Sequence, residues 1–345
     1  MIRTVVKKNE SNIKLYVREI TCVRTKKYEH RLFLFGNTEN GTSTCVEILD
    51  FQPYVFIDTP DVQDLHAWIS SLNESIRPWA DFPDIITGFE ICTKVPLIGF
   101  TNNEKKQFIK LEYRTVGDIW KIKKLFESPI DNGQDFEQIG LYHSDWSIES
   151  LFMHRMNIKL QSWVQIKGKQ AFPRMSVCQL DLRVEMTNIS PIISNRVPEL
   201  LCCAIRLRTS KNSSVLLISM AYYWFGRKYA PPVIINLHGG NEGALLRDFD
   251  KTLRTHDPDC FIVLSDNKDP LTHLMTRLPT LNLSKLHHIF EHLRYGRDGM
   301  IFGINHSGRT VMNIQDALKK LMIEPKLDGF TLLDAVFHPK ITRDT

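Results

Sequence analysis

The stretch Met175-Ser-Val-Cys-Gln-Leu-Asp-Leu-Arg-Val-Glu185 constrains the fold more than any other part of this chain. A proline-containing break, Ala171-Phe-Pro-Arg174, precedes it, and the alternation that follows is that of a buried strand. Val177, Gln179, Asp181, Arg183 and Glu185 fall on one face; Cys178, Leu180, Leu182 and Val184 fall on the other. The second face is apolar, and the first lines up a carboxylate, a guanidinium and another carboxylate. A central strand that turns charge to one face usually turns it toward a site. Asp181 then has two roles open to it: a metal ligand, or half of an ion pair with Arg183 or a lysine.

The rest of the chain supplies a frame for such a strand. With 345 residues, 43% of them hydrophobic and 24% charged, it is long enough for two or three domains with a sizeable core. The net charge of +5 is permissive for a nucleic-acid partner without indicating one. The seven cysteines form no C-x-x-C pair, and an odd number of thiols in apolar strands implies reduced side chains in an intracellular protein. The polar, charged start (Lys7, Lys8, Glu10) has no secretory signal, and no apolar run approaches the ~20 residues that cross a bilayer.

Local patterns order the elements. Arg31–Phe35 and Thr44–Leu49 flank a turn containing Asn40-Gly41, which predicts a hairpin, and Phe51–Ile57 adds a strand. Helices are expected from Asp61 to Ser75, from Thr115 to Glu127 and from Glu149 to Met156, with strands at 84–91, 107–113 and 162–166. Lys121, Lys123 and Lys124 on the second helix suit either phosphates or a solvated face. Lys167 and Lys169 flank Gly168 in what reads as a basic turn, suited to a phosphate contact or to plain surface. After Met175 the pattern runs through strands at 200–207, 214–220 and 233–237, a helix at 242–255 and a strand at 260–264. Helices at 271–278 and 283–295, a strand and helix over 308–319 and a last helix from Asp328 complete it. Together these predict an α+β protein: a β-rich N-terminal domain over 1–170, then an α/β domain over 171–345 whose mixed sheet, flanked by helices, suits a ribonuclease-H-like fold.

Specific phrases then appear in order. Phe51-Gln-Pro-Tyr-Val-Phe-Ile57, Phe108-Ile-Lys-Leu111, His143 to Met156, Ser162-Trp-Val-Gln-Ile166, Asn241-Glu-x-x-Leu-Leu-x-x-Phe249 with Asp257-Pro-Asp259, Gly308-Arg-Thr-Val-Met312 and Gly329 to Val336 together resemble family B DNA polymerases of the replicative delta type. The resemblance spans about residues 28 to 345 and covers the N-terminal and 3′–5′ exonuclease regions. It implies DNA replication as the process and DNA, single-stranded or primer-template, as the partner. It further implies, as partners, a polymerase-domain chain or replication-complex subunits, and, as the place of action, the nucleus or a site of viral or host DNA replication. It also implies a Mg2+-dependent exonuclease centre, in which three or four carboxylates hold two ions about 4 Å apart.

The departures are at that centre. The family's Asp-x-Glu falls on Asp181-Leu182-Arg183, so Asp181 matches as catalytic and metal residue while Arg183 puts a fixed positive charge where the glutamate belongs. Glu185 lies about 13 Å further along the strand, out of reach without a bulge. The second motif's Asn and Asp fall on Ser265 and Pro270, with Asp269 one residue early; Asp269 equally suits the N-cap of a following helix. The third motif would lie beyond Thr345, and the polymerase motifs are absent, as in a fragment, a split subunit or a truncated paralogue. The resemblance thus implies a DNA-binding chain, with Lys167, Lys169 and Arg183 as DNA contacts and a degenerate exonuclease centre. The alternatives are a catalytically silent DNA-binding or scaffold paralogue and an active stand-alone exonuclease.

Overall fold

The computed structural model describes residues 10–24, 30–79, 82, 84–95, 104–127, 139–226, 231–263, 270–278, 281–287, 291–292 and 307–313. The first strands are β1 (Glu10–Arg24), β2 (His30–Thr38), β3 (Ser43–Ile48) and β4 (Tyr54–Asp58). They are followed by α1 (Leu65–Ile76), β5 (Ile86–Lys94), β6 (Lys106–Tyr113), α2 (Ile119–Glu127), β7 (Leu141–Tyr142) and α3 (Ile148–Met156). Next come β8 (Ser162–Gln170), β9 (Leu180–Val184), β10 (Ile189–Ile192), β11 (Leu200–Thr209), β12 (Val215–Phe225) and β13 (Val233–His238). The last are α4 (Glu242–His256), β14 (Cys260–Val263), α5 (Pro270–Arg277), β15 (Glu291–His292) and β16 (Thr310–Asn313). The architecture is the mixed, strand-rich α+β that the sequence predicts. No described helix is long and apolar enough to cross a membrane.

The chain divides into two compact units that do not part at residue 170. One comprises residues 1–21, 33–48 and 159–345; the other comprises 22–32 and 49–158. In the second unit the four-stranded sheet runs β5-β6-β4-β7. Val55 and Ile57 of β4 and Ile109 and Leu111 of β6 pack against Leu72 of α1 and Ile122 of α2 in one core. Asp64 caps α1 by accepting from the Ala67 amide at 3.1 Å. The α2 lysines are engaged at the protein's own surface. Lys121 is buried against the Asp118 carboxylate at 3.0 Å, Lys123 meets Asp145, and Lys124 lies over the Trp79 ring at 4.4 Å.

The first unit holds two sheets. In one, β1, β2, β3, β9 and β8 follow one another and β8 pairs back onto β1, closing a ring, with β10 and β15 as additional neighbours. Its interior takes Leu182 and Val184 from β9 and Val164 and Ile166 from β8, all buried. Gly168 faces that interior too, where a Cβ would lie 2.6 Å from Val184 Cγ2, so β8 and β9 approach only because this position has no side chain. The residues read as a basic turn at 167–170 are therefore the end of strand β8.

The other sheet runs β13-β12-β11-β14-β16, antiparallel from β13 to β11 and parallel from β11 to β16. One of its faces, with Leu201, Cys203 and Ile205 of β11 and Ile218 and Met220 of β12, packs on Leu245, Leu246, Phe249 and Leu253 of α4. These four α4 residues recur at helical spacing, and Asn241 caps the helix by accepting from the Gly243 amide at 2.8 Å. The central strand of this α/β sheet is β11. The strand bearing Asp181 is β9, which belongs to the ring and pairs in parallel with β3. Regular strand covers only Leu180–Val184 of the Met175–Glu185 stretch, because the chain before it turns back over Asp181. Nor is the helix expected over 283–295 present in its described portion. Residues 281–287 are irregular, with Leu286 bridging to Ser176.

Candidate functional site

The Asp181 carboxylate is 2% exposed and already has its donors. Oδ2 accepts from the amides of Met175 at 2.7 Å and Ser176 at 2.9 Å, and Oδ1 accepts from Ser176 Oγ at 2.5 Å. Arg174 Nε stands 4.0 Å away. Burial raises the carboxyl pKa above its ordinary value, and the bonds from Ser176 and Met175 pull it partly back. The side chain pins the turn that brings residues 174–178 over β9, which is a structural role.

Arg183 does not pair with Asp181. Its Nε donates to Glu47 Oε2 at 2.8 Å, the residue beside it on β3. Lys169 lies opposite Arg183 in the β8–β9 register, so Glu47 offsets what would otherwise be a pair of facing like charges. Lys167 and Lys169 project from the same face of β8 and are exposed. The structure thus brings Lys169, Arg183 and Glu47 together on the outer wall of the ring, with Lys167 two residues along. Asp269 lies outside the described residues, as do Ser265, residues 314–319 of the stretch read as strand and helix, and the last helix expected from Asp328.

A Mg2+ pair needs several carboxylate oxygens free to turn toward the ions. Around Asp181 both oxygens are committed to backbone and hydroxyl donors, and its charged neighbour is Arg174. Among the described residues no three His, Cys, Asp or Glu side chains gather where they would hold a metal ion. The side chains at the Asp181 position do not fit a two-Mg2+ centre.

Sequence reasoning missed a large buried polar assembly among the described residues. Asp257 and Asp259, either side of Pro258 ahead of β14, are buried with Arg18, Lys285 and Arg309. Lys285 Nζ donates to Asp257 Oδ2 at 3.2 Å and to Asp259 Oδ1 at 2.9 Å. Arg309 donates from Nη2 to Asp257 Oδ1 at 3.0 Å and from Nε to the Pro258 carbonyl at 3.2 Å. Arg18 of β1 donates to Asn37 Oδ1 at 2.7 Å, to the Asp259 carbonyl at 2.7 Å and to the Gly308 carbonyl at 3.1 Å. Asp259 Oδ2 accepts from Asn37 Nδ2 at 2.9 Å and from the Leu201 amide at 3.0 Å. Three cations and two carboxylates here tie the ring strands to the starts of β11, β14 and β16. The available signal was the phrase Asp257-Pro-Asp259 together with Gly308-Arg309, which carried the resemblance without revealing what it holds.

No family model matches the chain. It is 27% identical over 193 residues to a DNA polymerase of Pyramimonas orientalis virus, a match covering 53% of this chain and 16% of that relative. It is 24% identical over 181 residues to the DNA polymerase delta catalytic subunit of Dictyostelium discoideum, covering 48% of this chain and 16% of the relative. With the delta catalytic subunit of Plasmodium falciparum the identity is 21%, covering 87% of this chain and 32% of the relative. The chain therefore spans only a minor part of the curated relatives it matches. In fold it is similar to the family B DNA polymerase of Pyrobaculum calidifontis, with a TM-score of 0.64 at 13% identity, over 89% of this chain and 37% of that one. In sequence the chain is similar to DNA polymerases, delta catalytic subunits among them, and in fold to a family B DNA polymerase.

Proposed function

We propose that this chain acts in DNA replication as the amino-terminal and exonuclease-like portion of a family B DNA polymerase, binding DNA while its 3′–5′ exonuclease centre is silent. The observation that carries the reading is the structural likeness, which extends over 89% of the chain and so takes in both units. The order of the five-stranded sheet, with three antiparallel strands continued by two parallel ones, supports a ribonuclease-H-like exonuclease domain. The sequestered Asp181 and the Arg183–Glu47 pair support silence at the Asp181 position. DNA is the partner of this reading, with a polymerase-domain chain or other replication subunits beside it, inside the cell at the nucleus or a site of viral or host DNA replication. Mg2+ would be a cofactor only of an active centre.

The same sequestered Asp181 favours a second reading, a scaffold kept for protein contacts, which predicts no DNA binding. Fluorescence anisotropy with a labelled single-stranded oligonucleotide separates the two. Binding that weakens linearly with the logarithm of salt concentration is expected. Absence of binding at low salt overturns the DNA-binding reading in favour of the scaffold.

A further inference from the structure

Two of the seven thiols share a rung. Cys202 of β11 pairs in register with Cys260 of β14, in the parallel part of the five-stranded sheet. Their strand neighbours Leu201, Cys203 and Phe261 face the α4 core, so alternation turns Cys202 and Cys260 together to the other face. Facing rungs of adjacent strands lie about 4.8 Å apart, inside the roughly 4.4–6.8 Å that separates the Cα atoms of a disulfide. The side chains are already in contact, the Cys260 thiol donating to the Cys202 sulfur. Tyr223, beside Cys202 in the β11–β12 register, supplies a second donor to it. That bond from Cys260 holds the Cys202 thiol below its ordinary value of 9.0, with Tyr223 and Arg18 helping against burial and Asp259, and it keeps the proton on Cys260. The other five thiols are pushed up, chiefly by burial. Cys202 and Cys260 also keep a little surface, 5% and 7%, where Cys203 and Cys45 have none. Cys202 is thus placed as the nucleophile and Cys260 as the thiol that resolves its oxidised form.

We propose that Cys202 and Cys260 are a redox-active dithiol, a modification site that a peroxide closes into a disulfide between β11 and β14 and that a small thiol reopens. The inference stands apart from the DNA-binding reading. In the first step the Cys202 thiolate attacks one oxygen of hydrogen peroxide; an S–O bond forms, the O–O bond breaks, and the departing hydroxide takes up the Cys202 proton and leaves as water. The Cys260 sulfur then attacks the Cys202 sulfur; an S–S bond forms, the S–O bond breaks, and the hydroxyl leaves with the Cys260 proton as a second water. The two thiols give up two electrons and peroxide is reduced to two waters. Reopening takes two thiol equivalents, which leave as their own disulfide and return both protons. Between β11 and β14 the chain runs through β12, β13 and α4, so the bridge fastens the ends of a long excursion. It does so beside Asp259, which holds Arg18 and the Leu201 amide. A bridge closing a long loop restricts the unfolded chain, so the oxidised form resists unfolding more than the reduced one.

The test treats the folded full chain with hydrogen peroxide, alkylates the remaining thiols under denaturing conditions and maps the peptides by mass spectrometry without reduction. The expected result is a peptide pair joined through Cys202 and Cys260, lighter by two hydrogens, with fragmentation placing the bridge on Cys202 and not Cys203. Dithiothreitol returns both thiols. The oxidised chain melts at a higher temperature than the reduced one, and C202S loses that rise. In C260S, whose hydroxyl still donates to Cys202, oxidation stops at the sulfenic acid, and dimedone labels Cys202. C92S removes the one thiol that is half-buried rather than buried, and it keeps the parent bridge. The peptide map of the parent chain needs no variant and decides the matter alone. A chain oxidised first at Cys92, or one whose Cys202 and Cys260 both remain alkylated after peroxide, overturns the inference, as does a bridge that forms only once urea has unfolded the protein.

Discussion

Asp181→Ala removes the acceptor that serves the Met175 and Ser176 amides and the Ser176 hydroxyl. Buried donors left unmatched cost about 1–3 kcal/mol each before relaxation, so a loss of about 3 kcal/mol is expected in urea denaturation. A loss below about 1 kcal/mol would contradict the pinning role. Asp181→Asn carries a pH signature. The wild-type carboxyl binds its proton more tightly folded than unfolded, so ionisation favours unfolding. Its contribution to stability falls as pH rises from the ordinary value of 3.8 through the raised folded one. The stability gap between wild type and Asp181→Asn should shrink over that rise in urea titrations at stepped pH; a gap that widens contradicts it. At this scale the sequence disclosed the alternation of Leu180 to Val184 but not the occupation of Asp181. That depends on a turn folding back from residues 174–176, and alternation carries no information about what lies over a face.

Helix α4 was readable almost to the residue, because its cap and its apolar stripe are local patterns. A less visible device fixes its start. Glu242 accepts from the Val215 amide at 2.7 Å and takes both Nε and Nη2 of Arg277, tying α4 to β12 and α5. The Arg277 bonds hold the Glu242 carboxyl down at about 2. A depressed acid contributes stability that is present above its unfolded value of 4.5 and is lost as pH falls toward 2. Glu242→Gln should therefore lower the thermal midpoint at pH 7 modestly, this being a partly solvated pair, and flatten the decline between pH 4.5 and 2. An unchanged acid limb would contradict the clamp. Elements built on distant partners were misread. Leu283 and Leu286 are spaced as on a helix, yet the Lys285 amide donates to the Ser307 carbonyl and its carbonyl accepts from Val177. The leucine spacing reflects separate burial of an irregular segment.

The whole molecule is held by pairings no local pattern announces. Strands β9 and β10 follow residue 170 yet complete the sheet begun by β1, β2 and β3, so the α/β sheet starts only at Leu200. The class α+β was legible from the run of strand and helix patterns; the seam was not, because it is set by which edges meet. The buried charges around Asp257 and Asp259 hold that seam. Removing one partner of a buried ion pair leaves the other uncompensated, typically at about 3–5 kcal/mol. Arg309→Ala should cost that much in denaturant titrations, with loss of cooperativity as the two sheets of the first unit come apart. A change under about 1 kcal/mol would show that the network is not what joins them.

The function proposed for this chain has it keep an exonuclease-like fold without the chemistry. The direct measurement is Mg2+-dependent digestion of a 3′-ended single-stranded DNA by the full chain and by Asp181→Ala, with products resolved nucleotide by nucleotide. No shortening by either protein beyond a no-enzyme control is expected. Stepwise Mg2+-dependent shortening by the wild type would contradict that function and restore the stand-alone exonuclease, with Asp181 as its ligand if the activity vanishes in a folded Asp181→Ala protein and with a centre elsewhere if it persists.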